Sequence, residues 1–160
     1  MEKSENSLLM FEANIVSNTI KVIDTKDTSN DIMFFLSDPL DNQIILWENT
    51  FKYHILGEDG SHEDRSYFLK PDNMERIKKV IQAPQLIISD KINNNRLNYI
   101  GLSINQFETK RCMKRIDIIT EPSKKKENTF EICTIMVKSS ASIAISEGRK
   151  VIYDAHDQGL

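Results

Sequence analysis

The sequence predicts an α+β domain: an N-terminal β-hairpin and two helices packed on a four- to five-stranded antiparallel sheet. Three observations lead there. "IMFFLSDPLDNQIILW" is two apolar runs around a turn-forming core. "KPDNMERIKKVIQAP" carries helical periodicity and stops at a proline. After Pro84 the pattern becomes short apolar runs separated by polar turns.

The elements follow in order. Residues 1–14 are polar and weakly patterned, and Ile15 to Asp24 alternates as a strand would. "TKDTSND" is a loop by composition. Ile32 to Leu36 is the first hairpin strand and Ile44 to Trp47 the second. Pro39 presets φ in the turn between them, and Asp41 and Asn42 tolerate left-handed backbone. A short helix then runs from Thr50 to Gly57, with Asn49 or Thr50 as its N-cap. Phe51 and Ile55 share its apolar face, and Trp47 packs at its entry.

Pro71 suits the first turn of the second helix, with Asp72 and Glu75 near its positive end. Met74, Ile77, Val80 and Ile81 form its buried stripe, while Lys78 and Lys79 point elsewhere. Pro84 ends it. "QLIISD" is a strand. Leu97, Tyr99 and Gly101 alternate along the next one. "RCMKRIDIIT" and "TFEICTIMV" are strands joined by the polar loop "EPSKKKEN", and "RKVIYD" reads as a last edge strand. The tail "AHDQGL" reads as frayed. This division gives an arm over residues 1–32, an α+β domain over 33–154 and a tail over 155–160.

Bulk properties exclude several classes. The chain has 160 residues, 39% hydrophobic and 28% charged, so it has material for a core. No apolar run approaches the roughly 18 residues of a membrane helix, so no membrane partner is expected. The opening residues lack the layout of a signal peptide, so an intracellular, cytoplasmic protein is expected. Cys112 and Cys133 form no metal or redox spacing and read as free packing thiols. Net charge is −3. Residues 1–45 carry eight acids and three bases, and residues 46–160 sixteen acids and eighteen bases. "TKRCMKR" (Thr109 to Arg115) and Lys124 to Lys126 concentrate the bases, which admits an anionic partner or merely solvated surface.

The chemistry concentrates in "TFKYHILGEDGSHEDR", Thr50 to Arg65, which holds two of the three histidines. "GEDG" follows a helix and lacks the Lys-Ser/Thr ending of a phosphate loop. Asp59, Glu63 and Asp64 could join His54 and His62 around a metal, but no zinc-type spacing is present, so no metal or other cofactor is expected. Histidine exchanges protons near neutral pH, and the carbonyl end of a helix favours a cation, which suits a general acid at His54. Metal-free RNA cleavage needs a base for the 2′-hydroxyl proton, an acid for the leaving 5′-oxygen, and groups that hold the phosphate. His54 and His62 are candidates for the first pair. Arg65, Arg96, Lys138, Ser139 and Ser140 are candidates for the rest.

"DPLDNQIILWENTFKYHIL" resembles nuclease domains of phages and mobile elements, in the barnase–EndoU–colicin E5/D–RelE-like superfamily. The matching parts are Asp38-Pro39, Thr50-Phe51, His54-Ile55, His62-Glu63, "IKKVIQAP", "NNRLNYI" and "KVIY". They span about residues 33 to 154. The resemblance implies helices followed by an antiparallel sheet and metal-independent ribonuclease activity. It implies His54 and His62 as catalytic histidines, Arg96 as a catalytic arginine before the next strand, Tyr99 on that strand as a substrate-binding residue, and a strand-end hydroxyl at Thr134, Ser139 or Ser140. RNA, including tRNA, is then the expected substrate, with an antitoxin or immunity protein as partner and delivery into another cell as one use. A non-catalytic protein-interaction module on the same scaffold is the alternative, favoured by the acidic balance. A metal-dependent hydrolase using the loop between His54 and Arg65 is a third.

Overall fold

The computed structural model describes residues 30–57, 65–89, 95–104, 113–138 and 149–158. The expected arm strand (residues 15–24) lies outside them, as do His62, Cys112, Ser139 and Ser140.

The fold is α+β. Its strands are β1 (Ile32–Ser37), β2 (Gln43–Trp47), β3 (Leu86–Ser89), β4 (Leu97–Ile104), β5 (Met113–Pro122), β6 (Thr129–Lys138) and β7 (Lys150–Asp154). Among the described residues they form one seven-stranded sheet in the order β1-β2-β6-β5-β4-β3-β7. The sheet is mixed, because β2 pairs parallel with β6 and every other pairing is antiparallel. This corrects the expectation of a four- to five-stranded antiparallel sheet with a hairpin packed upon it. The hairpin extends the sheet instead. The reason is in β2 itself: Ile44, Ile45 and Leu46 are all buried. Three consecutive buried residues mean a strand covered on both faces, which is how interior parallel strands read.

The turn behaves as its residues dictate. Asp41 adopts left-handed backbone, φ 63°. Asp38 organises the loop: its carboxylate accepts from the amides of Leu40 (2.9 Å) and Asn42 (2.8 Å) and from Asn42 Nδ2 (3.0 Å).

A π-helical turn, Thr50–Ile55, follows β2, and helix α1 spans Pro71–Gln82. Phe51 and Ile55 from the first, and Ile77, Val80 and Ile81 from the second, join one core with Phe34, Leu46, Tyr99, Ile118 and Ile135. Both helical segments therefore cover the same sheet face. Asn49 is already helical and makes no side-chain cap. Its amide donates to Asn30 Oδ1 (3.1 Å), and that of Glu48 donates to Asp31 O (2.7 Å), so the residues before β1 satisfy the helix entry. Trp47 packs against Ile32 and Ile45 in a second cluster.

Two basic stretches differ from expectation. Lys78 is buried, with Nζ 3.1 Å from Glu75 and 6.0 Å from the centre of the Phe34 ring, its stem packed as lysine stems are when only the head reaches a partner. Lys114 and Arg115 are buried too, so that part of "TKRCMKR" is not a solvated basic surface. The expected frayed tail forms a 3-10 turn, Ala155–Gln158. The amide of Ala155 donates to Gln85 O (3.0 Å), and that of His156 to Asp154 Oδ1 (2.9 Å).

Candidate functional site

A cleft of about 390 Å³ opens where the π-helical turn meets the middle of the sheet. It is lined by Trp47, Thr50, His54, Arg96, Glu121, Glu131, Ile132 and Cys133. His54 comes from the turn, Arg96 precedes β4, and the acids and cysteine come from β5 and β6. His54 is exposed, while the same turn buries Phe51 and Ile55. The winding is π because the amide of Leu56 reaches back five residues to Phe51 O (2.8 Å). Single π turns are rare and recur at functional sites.

Arg65 holds this turn in place. Its Nη1 donates to Ile55 O (3.5 Å) and Ile135 O (3.3 Å), tying the end of the turn to β6. It therefore supports the element that presents His54.

Glu121 and Glu131 stand directly opposite each other on the β5–β6 ladder. Like charges so placed repel. Each has a partner: Arg96 Nη2 lies 3.8 Å from Glu121, and Trp47 Nε1 donates to Glu131 at 2.6 Å. Arg96 and Glu121 are about half exposed, 47% and 50%, so their pairing is weak and readily exchanged for a ligand. Beside them sits Cys133, where the ladder register shifts between Ile119 and Thr120. Burial, then the Glu121 charge, push its thiol up to about 11 against the opposing pull of Arg96. A thiol so placed stays protonated at neutral pH and is a poor nucleophile.

The remaining expected residues separate. Tyr99 is fully buried, and its hydroxyl donates to Asp38 at 2.5 Å, so it joins the first hairpin to β4 rather than touching a substrate. Burial and the Asp38 carboxylate raise its phenol far above the ordinary value. Lys138 Nζ lies 3.3 Å from Asp117. It stands five residues beyond Cys133 on β6, about 17 Å along an extended chain, so it does not line the cleft. Asp117 also takes two hydrogen bonds from Arg115, at 2.6 and 2.7 Å, and one from Asn98 at 3.4 Å. His62, Ser139 and Ser140 lie outside the described residues.

The structure thus brings His54 and Arg96 together and adds Trp47, Glu121 and Glu131, which sequence reasoning did not nominate. The alternation in β5 and β6 carried part of that signal, but the pairing of Glu121 with Glu131 depends on the register shift. Among the described residues no group of three or more His, Cys, Asp or Glu side chains is placed to hold a metal ion. No helix among them is long and apolar enough to cross a membrane. No family model, curated protein or solved structure matches the chain.

Proposed function

We propose that the chain is a metal-independent endoribonuclease of toxin or phage type, acting in the cytoplasm on RNA such as tRNA. The observation that carries this reading is that His54 and Arg96, distant in sequence, line one cleft. In the reaction the 2′-oxygen bonds to phosphorus as the bond to the 5′-oxygen breaks. The 2′-hydroxyl proton passes to a base and the 5′-oxygen takes one from an acid. His54 supplies the acid. The base is His62 or a cleft carboxylate, Glu131 being the one fixed by Trp47. Arg96 leaves Glu121 to hold the phosphate, exchanging a weak pair for a bidentate one. The products are a 2′,3′-cyclic phosphate and a free 5′-hydroxyl.

Purified protein incubated with total RNA and tRNA in excess chelator tests this. Cleavage leaving cyclic phosphate ends is expected, and His54→Ala should lower the rate about 10²–10⁴-fold. Full activity in that variant overturns the role of His54. An antitoxin or immunity protein would act by covering the cleft.

A second reading has its own support. Two carboxylates against one arginine make the cleft acidic, as a non-catalytic module gripping a basic protein segment would be. That reading predicts no turnover and one specific protein in a pull-down.

A further inference from the structure

The acidic cleft poses a problem for an RNA-cleaving enzyme, because polyanions bind mainly through phosphate contacts to cations. We infer that the β5–β6 turn, at Lys124–Lys126, is the surface on which single-stranded RNA is held as it enters the cleft. This inference rests on the ribonuclease reading for the identity of the ligand.

The turn is built for such a role. Lys124, Lys125 and Lys126 are consecutive and exposed. No carboxylate among the described residues pairs with them. Their backbone is clamped. Ser123 donates its amide to Thr129 O (2.7 Å), Lys125 donates its amide to Ser123 Oγ (3.2 Å), and Thr129 Oγ1 donates to Glu127 O (3.1 Å). Asn128 takes left-handed backbone, φ 52°, and its carbonyl accepts from the Gln43 amide at 2.7 Å, which ties the turn to β2. Three exposed cationic side chains thus project from a hydrogen-bonded turn.

Position supplies the second argument. The same hairpin carries Glu121, Glu131, Ile132 and Cys133 of the cleft. Lys124 is three residues beyond Glu121, about 10 Å of extended chain. A backbone held at His54 and Arg96 reaches the lysines within a few nucleotides. The lysines supply the attraction that the cleft carboxylates remove. A hairpin tip is too narrow to follow both strands of a duplex. The exposed ring of Tyr53, beside His54, offers a stacking face, and cations combined with aromatic faces are how proteins hold single strands.

The test uses the full chain and a fluorescent single-stranded RNA oligonucleotide with 2′-O-methyl sugars, which cannot be cleaved through the 2′-oxygen. Anisotropy gives Kd from 50 to 200 mM salt. Each phosphate contact to a single strand contributes about −0.7 to the slope of log K against log salt. Replacing all three lysines by glutamine should make the slope shallower by about 2, while replacing them by arginine should preserve it. The glutamine variant should still cleave a dinucleotide, too short to reach the turn, at the wild-type rate. An unchanged slope, or no binding by the wild-type protein, overturns the inference. Equal binding and an equal slope change with a duplex of the same sequence overturn the single-strand assignment. If the slope falls as expected but no RNA is ever cleaved, the inference stands and the ribonuclease reading falls.

Discussion

At the scale of residues, burial decides which polar groups are structural. Asp117 is fully buried. Burial alone would raise its carboxyl, but the hydrogen bonds and charge of Arg115, with Lys138 and Asn98, override this and hold it below the usual value. A carboxyl depressed in the folded state stabilises above its unfolded pKa, about 3.9, and loses that contribution as pH falls through its folded value. Asp117→Asn should therefore cost about 3–5 kcal/mol at pH 7, since it leaves Arg115 in a buried site without its carboxylate. The gap from wild type should narrow as pH drops below about 4. Urea titrations of both proteins from pH 3 to 7 check it, and a constant gap would show that the pair is not what the mutation removes. Such roles are only partly legible in a sequence. His54 could be found because a short apolar stripe ending at Gly57 places it at a helical end. Arg96 could be found because it precedes an alternating strand. Tyr99 could not be assigned, because alternation does not say whether a tyrosine hydroxyl meets solvent or a carboxylate 61 residues away.

At the scale of elements, period and punctuation were enough for the strands after Pro84 and for helix α1. What they could not give is which strands become neighbours. The parallel joining of β2 to β6 depends on contacts far apart in sequence, although the run Ile44 to Leu46 hinted at burial on both faces. The π winding at Thr50–Ile55 and the irregularity at Cys133 depend on tertiary fit as well. The packing of α1 on β4 can be tested directly. Gly101 lies beneath Val80, and a Cβ built there would meet Val80 Cγ2 at 2.6 Å. Gly101→Ala should therefore cost about 1–3 kcal/mol through overpacking. Val80→Ala alone should also destabilise, by leaving a cavity. The double variant should be more stable than the sum of the two costs predicts, because the second change opens the space the first one fills. Denaturant midpoints for the four proteins measure this coupling, and strict additivity would show that α1 simply moves aside.

At the scale of the whole molecule, the sheet is assembled from two stretches of chain. The β1–β2 hairpin comes from one, and β3 to β7 from the other. Their backbone joint is the parallel pairing of Gln43 to Ile45 with Thr129 to Glu131. Two side-chain bonds reinforce it from opposite ends of the hairpin, Tyr99 to Asp38 and Trp47 to Glu131. The second is also a wall of the cleft, so the stability of the joint and the geometry of the candidate site are linked. Trp47→Phe keeps an aromatic ring at the position but removes the indole donor together with part of the apolar bulk, leaving the half-buried Glu131 carboxylate without that donor. The expected loss is about 1–3 kcal/mol. It should also fall unevenly. Proteins open in cooperative units, and a hairpin joined along one edge is a natural unit. Amide exchange in β1 and β2 should speed up by about tenfold to a hundredfold, since each tenfold step corresponds to about 1.4 kcal/mol. Amides of Ile116 and Ile118, in the centre of the sheet, should change far less while global unfolding remains slower than opening of the hairpin. RNA cleavage should fall as well, through a Glu131 no longer held in place. Uniform acceleration across all strands would mean that hairpin and sheet open as one body, and the site would then be only as stable as the whole fold.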